Sequence, residues 1–133
     1  MIIGKKLYRT KECADSMAWA REHIATAPDG SVFLADALTH ARGRQGREWQ
    51  VYDGQLCVTL ILKPPTLAVL HGDDLPIRLN QLNMAVCVGI AQALKPYGIG
   101  LKWPNDFVFE HKKIGGMLLQ LVWQGAVPPS VIV

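Results

Sequence analysis

The sequence predicts an α+β domain, a mixed β-sheet packed with helices on one face. Three observations predict it. Half of the 133 residues are hydrophobic, enough for the core of one domain spanning residues 1–133. Short runs rich in β-branched and apolar residues recur at 31–37, 55–62 and 130–133. One longer amphipathic run, from Asp73 or Asp74 to about Leu94, has helical spacing.

Taken in order, residues 5–9 fit a short edge strand. Asp15 can cap a helix reaching about Ile24, with Met17, Ala20, Arg21 and Ile24 near helical spacing. Pro28-Asp29-Gly30 is a turn. Ser31 to Ala37 reads as a buried strand through Val32, Phe33 and Leu34. Residues 38–54 carry glycines and charges with little periodicity and read as loop. Gln55 to Leu62 reads as a central strand, ended by Lys63-Pro64-Pro65. The long helix has Pro76 in its first turn and an apolar stripe of Leu79, Leu82, Val86, Ile90 and Ala93. Gly89 leaves room for close packing, and Tyr97-Gly98 ends the helix. Gly100 to Trp103 is a strand and Pro104-Asn105-Asp106 a turn or bulge. Residues 107–109 and 113–122 form a hairpin around Glu110-His111-Lys112. Ser130 to Val133 opens a last apolar strand, which reads as one cut short before its sheet is complete.

The formal net charge of +3 is mild, whereas a nucleic-acid binder shows a broad basic face or tail. The apolar runs are too short to span a bilayer, and Met1-Ile2-Ile3-Gly4-Lys5-Lys6 lacks a signal peptide's apolar run. Cys13, Cys57 and Cys87 are odd in number and show no metal-type spacing, which fits free, mostly buried thiols in the reducing cytoplasm. His23, His40, His71 and His111 show no metal spacing either. No Ser-His-Asp or Cys-His set suggests itself.

The positive charge is concentrated instead. Ala41-Arg42-Gly43-Arg44-Gln45-Gly46-Arg47-Glu48-Trp49 crowds three guanidiniums and two glycines into six residues. Each guanidinium presents a planar fork that matches carboxylate or phosphate oxygens. The glycines open backbone conformations and expose N–H groups suited to an anion. Such a loop is expected to be mobile alone, because its charges repel, and to be ordered by a polyanion. A solvated loop, or a patch touching nucleic-acid phosphates, fits the same composition. Trp49 can stack on a base, close the loop or anchor it to a core.

Further on, Lys102 should face away from Leu101 and Trp103 in its strand. Asn105-Asp106 after Pro104 favours a tight turn with side-chain-to-backbone bonds. Lys113 precedes Ile114-Gly115-Gly116. Paired glycines inside a strand suggest that something approaches the backbone closely, and Lys113 can hold a phosphate or carboxylate there. Lys112 should point the other way, into solvent.

These two segments resemble the sequence blocks of biotin protein ligases. Arg42 to Trp49 is similar to the family's Gly-Arg-Gly-Arg-x-Gly-Arg-x-Trp loop. Lys102-Trp103-Pro104-Asn105-Asp106, followed by Lys112-Lys113-Ile114-Gly115-Gly116-Met117-Leu118, resembles its second block, and the order of elements agrees. The resemblance covers essentially the whole chain. It implies the class II aminoacyl-tRNA-synthetase-like, biotin–lipoate ligase catalytic fold, as the front part of that catalytic domain and without an N-terminal DNA-binding domain.

The implied activity is ATP-dependent formation of biotinyl-5′-AMP, then transfer of the biotinyl group to a lysine of a biotin carboxyl carrier domain. Biotin's carboxylate and the ATP α-phosphate repel, so fixed positive charge must bring them together. By resemblance, Lys113 and Arg44 carry that chemistry. Arg42, Gly43, Arg44, Lys113, Gly115 and Gly116 line biotin and the adenylate, and Arg47, Trp49, Lys102 and Asn105 serve ATP. Mg²⁺ would bridge the ATP phosphates. Implied partners are biotin, ATP and the carrier domain, with a homodimer left open and no nucleic acid or membrane.

Departures from the family pattern fall on the biotin side. Cys13-Ala14-Asp15, or Asp15-Ser16-Met17 with a shift, stands where the family has Ser-Thr-Asn. Leu38 and Thr39 stand where it has a glutamine, and Ala41 replaces the glycine before the first arginine. Each polar group of the acid left unpaired costs about 1–3 kcal/mol. A different acid such as lipoate, or a non-catalytic or incomplete ligand-binding domain, is therefore an alternative.

Overall fold

The computed structural model describes residues 3–64, 74–124 and 127–133, with the backbone alone at 127–128. Pro65, His71 and Asp73, named above, lie outside them. The chain resolves into two compact units, one from residues 1–69 and 120–133, the other from 70–119.

The first unit is a five-stranded mixed sheet. Its strands are β1 (Leu7–Cys13), β2 (Ser31–Leu38), β5 (Cys57–Leu62), β9 (Gln120–Gln124) and β10 (Val127–Ile132), in the order β1-β2-β5-β10-β9. The β1–β2 pair is parallel and the other pairs are antiparallel. The edge strand β1 runs further than the expected 5–9, while β5 is central as expected. The closing apolar segment has a strand on each side, β5 and β9. Pro128-Pro129 removes donors from its ladder with β9, whose register shifts between Val127 and Ser130.

Helix α1 (Ser16–Glu22) links β1 to β2 and is shorter than the expected 15–24. Asp15 caps it, its carboxylate accepting from the Met17 and Ala18 N–H groups at 2.9 and 3.1 Å. Loss of such a cap costs about 1 kcal/mol. Asp15→Ala is therefore expected to lower the urea unfolding free energy by that amount, and an unchanged midpoint would remove the cap from the account.

Ala20, Ile24 and Ala27 pack with Phe33 of β2, Ile61 of β5 and Ile132 of β10, joined by Tyr8, Met17, Trp19 and Val122. Phe33 is fully buried. It stacks on Tyr8 at 4.4 Å between centroids and meets the Trp19 ring edge-on at 5.1 Å. Thr59 donates to Ser16 Oγ at 2.9 Å, tying β5 to the start of α1. Lys63 donates from its backbone N–H to Asp29 and from its ammonium to the Ala27 carbonyl, which fixes the turn before β2.

Residues 38–54, read as loop, contain a small hairpin. Strands β3 (Ala41–Arg42) and β4 (Glu48–Trp49) pair around a 3-10 turn at Arg44–Gly46. Four residues of paired strand are too few to leave a periodic signature.

The second unit holds helix α2 (Asp74–Leu94), a 3-10 turn at Lys95–Tyr97, and a three-stranded meander. Its strands are β6 (Gly100–Lys102), β7 (Asp106–Phe109) and β8 (Lys112–Gly116). Gly98 ends the helical segment at φ +75°. Leu79, Leu82, Val86 and Ile90 are half-buried as expected, but Ala93 is exposed and Leu94 takes its place. Gly89 is also exposed, and a methyl added there would meet nothing within 4 Å. Among the described residues nothing packs closely on it, because it lies on an exposed face of the helix.

The strand expected over 113–122 divides. Met117 leaves β8 to exchange hydrogen bonds with Asn105, and residues 120–124 join the sheet of the first unit as β9.

Candidate active site

The sequence-predicted residues fall into two groups. In the first unit, Cys13 at the end of β1 lies in register with Leu38 at the end of β2. The Cys13 carbonyl accepts from Thr39 N–H at 3.1 Å and the Ala14 carbonyl from His40 N–H at 2.9 Å. These bonds bring Cys13, Ala14 and Leu38 together and lead the chain directly into the basic hairpin. Asp15 lies beside them, but its carboxylate is engaged in capping α1.

Within the hairpin, Arg42 is the register partner of Glu48 and Ala41 that of Trp49. The Gly43 N–H donates to the Arg47 carbonyl at 2.6 Å, closing the loop on itself. The tip turns through two positive φ angles, Gln45 at +61° and Gly46 at +73°, a conformation in which glycine has no steric cost. Arg42, Arg44 and Arg47 are exposed. Among the described residues, no ion pair involves any of them. An added Cβ at Gly43 would come within 2.5 Å of Trp49 Nε1 and 2.9 Å of its Cδ1. Trp49 thus lies flush on the Gly43 backbone, an anchor inside the hairpin.

Gly43→Ala must displace the indole or open the turn, at about 1–3 kcal/mol for overpacking. The expected result is a shifted Trp49 indole N–H resonance, assigned through Trp49→Phe. An unmoved resonance would contradict this packing.

In the second unit, the Trp103–Pro104 peptide is cis, and α2 grips the turn from one side. Asn83 Nδ2 and Cys87 Sγ both donate to the Pro104 carbonyl, at 3.3 Å each. Asn105 Nδ2 donates to the Met117 carbonyl at 2.8 Å, and Met117 N–H donates back to the Asn105 carbonyl at 2.9 Å. The Asn105 side chain is therefore a brace between the turn and the end of β8.

Lys102 is exposed and in register with Asp106. Lys113 Nζ lies 2.7 Å from Asp106 Oδ1. This pair was not anticipated from the sequence. A pair this accessible is worth at most about 1 kcal/mol. A methyl on Gly115 would meet Phe107 at 3.8 Å, an ordinary contact.

The described histidines behave as packing or surface groups. His23 shares its Nδ1 with the Trp19 carbonyl and lies against Tyr8 and Phe33. His40 and His111 are exposed. All three cysteines are free. Burial pushes the Cys57 and Cys87 thiols above their usual range; at Cys13 burial is aided by the neighbouring Asp15, Cys57 and Glu12. Thiols held protonated are poor nucleophiles. Among the described residues, no three His, Cys, Asp or Glu side chains cluster as a metal site. No described helix is long and apolar enough to cross a membrane.

A mixed sheet bearing an exposed arginine hairpin, and a short sheet bearing a paired lysine and aspartate, define an α+β protein with exposed positive charge. The chain belongs to the biotin/lipoate A/B protein ligase family, whose model matches residues 7–132. The bifunctional ligase/repressor BirA of Bacillus subtilis is 32% identical over 112 residues, covering 80% of this chain and 32% of that protein. The biotin–[acetyl-CoA-carboxylase] ligase of Paracoccus denitrificans is 30% identical over 111 residues, covering 83% of this chain and 45% of its own length. Among solved structures, the Aquifex aeolicus biotin protein ligase in complex with biotin and ATP superposes with a TM-score of 0.69 at 27% identity. That match covers 96% of this chain and 51% of the Aquifex chain. The chain thus spans less than half the length of these curated relatives and about half of that solved chain.

Proposed function

We propose that this chain belongs to a biotin–protein ligase and holds part of its catalytic domain. In that domain the biotin carboxylate displaces pyrophosphate from ATP to form biotinyl-5′-AMP, and the biotinyl group then passes to a lysine of a biotin carboxyl carrier domain with release of AMP. What carries the reading is the exposed arginine hairpin, with no acid among the described residues paired to its guanidiniums, in a chain of this family. Arg42, Gly43 and Arg44 would close over biotin and the adenylate phosphate, and Arg47 and Trp49 over the nucleotide. Lys113 would stabilise the charge that develops between carboxylate and α-phosphate. Lys102 would add positive charge on the nucleotide side, and Gly115 and Gly116 would leave room for biotin along β8. Asn105 would act there through the geometry of its turn. Mg²⁺ would enter with ATP and offset the charge of its phosphates. The free thiols fit the cytoplasm.

A second reading keeps the adenylation and changes the acid. It is favoured by the biotin-side positions, where the Asp15 carboxylate and the Cys13 and Ala14 carbonyls already have partners. Acid-dependent exchange of pyrophosphate into ATP separates the two readings. Biotin is expected to support exchange at a lower concentration than lipoate. The reverse order would transfer the assignment to lipoate, and no exchange with either acid would remove the ligase reading.

A further inference from the structure

The short sheet of the second unit brings an acid and a base together where a regular strand would separate them. Phe107 pairs with Gly115, so a continuous ladder would set Val108 opposite Ile114 and Phe109 opposite Lys113. The observed partner of Val108 is Lys113, which leaves Ile114 as the extra residue of a bulge. The bulge moves Lys113 to the face that carries Asp106, and Lys102 lies directly across from Asp106 on β6. The result is the 2.7 Å contact between Lys113 Nζ and Asp106 Oδ1, with side chains 43% and 26% exposed. Water screens such a pair and it adds little to folding. Its consequence lies in what it does to the ammonium group.

We propose that Asp106 is a positioning residue, holding the Lys113 ammonium group at the strand pair and yielding it to phosphate oxygens when the nucleotide binds. This rests on the ligase reading above and adds to it a counter-ion that the lysine must exchange. A lysine on a flexible four-carbon stem samples many rotamers, and a fixed carboxylate selects among them. The same carboxylate offsets the charge of Lys113 and Lys102, so it competes with an incoming anion. Replacing it by a neutral group of equal size has two effects. Ground-state anions bind more tightly, because the lysines are no longer partly neutralised. Turnover slows, because the ammonium is no longer held where charge develops. A residue that only supported the fold would weaken both.

Calorimetric titration with inorganic pyrophosphate tests this on the wild-type chain, Asp106→Asn, Lys113→Ala and the double variant, with folding checked by circular dichroism. Asp106→Asn is expected to bind pyrophosphate roughly three- to tenfold more tightly than wild type. The gain should vanish in the Lys113→Ala background. Asp106→Glu, which keeps the charge, should stay within about twofold of wild type. Equal or weaker binding by Asp106→Asn, a gain that survives without Lys113, or no pyrophosphate binding by any variant would overturn the proposal. In biotin-dependent exchange, Asp106→Asn should lower both kcat and the KM for ATP. A wild-type chain inactive in exchange would sink the ligase reading, while the pyrophosphate titration still decides the role of Asp106.

Discussion

Lys113→Ala is expected to slow biotinyl-adenylate formation by about 10²–10³-fold, the usual effect of removing one preorganised donor from developing negative charge. The fold should survive. Lys113 is exposed, and its pair with Asp106 is accessible to water, so its removal should cost no more than about 1 kcal/mol. Single-turnover measurement of adenylate formation, beside a urea unfolding curve, separates the two effects. Near-normal turnover would take Lys113 out of the chemistry. A collapse of stability would make it a structural residue. The bulge at Ile114 sets Lys113 on the face of Asp106 and Lys102.

Phe33→Ala is the other large effect, and it falls on the scaffold. Phe33 is completely buried at the centre of the cluster that seals α1 to the five-stranded sheet, in ring contact with Tyr8, Trp19 and His23. Truncating such a side chain costs about 3–5 kcal/mol, against a total stability of about 5–15 kcal/mol for a domain. The variant is expected to unfold at a much lower urea concentration. Because β2 leads directly into the basic hairpin, nucleotide binding should be lost in parallel with unfolding. An unfolding free energy within about 1 kcal/mol of wild type would show that the aromatic cluster is not the keystone of this unit.

Where the sequence carried a strong local signal, the structure follows it. Asp15 before an apolar helical run is a cap. The apolar segment ending at Leu62 is central, flanked by β2 and β10, with Ile61 packed in the core cluster. Gly98 stops a helix because it accepts a left-handed φ. The two blocks that resemble biotin protein ligases were legible because they are chemically unusual, dense in arginine or in lysine beside turn residues.

Tertiary features left no such mark. The apolar run from Lys113 to Val122 looks continuous, yet Met117 leaves the strand to bond with Asn105, and residues 120–124 pair in another sheet. A β-bulge has no composition of its own, so the Asp106–Lys113 pair was invisible. The hairpin at Ala41–Trp49 is held by backbone hydrogen bonds and by an indole lying on a glycine. Periodicity does not detect either contact. The engaged carboxylate of Asp15 is likewise a fact of geometry: from residue type alone the same side chain is available to a ligand.

The central claim is that this chain brings a carboxylate and an ATP α-phosphate into reaction. Its most direct test is to incubate the chain with biotin, ATP and Mg²⁺ and to analyse the acid-quenched mixture by mass spectrometry. The account predicts biotinyl-5′-AMP in amounts comparable to the protein, and its disappearance in Lys113→Ala. A folded wild-type chain that forms no biotinyl-5′-AMP would contradict it.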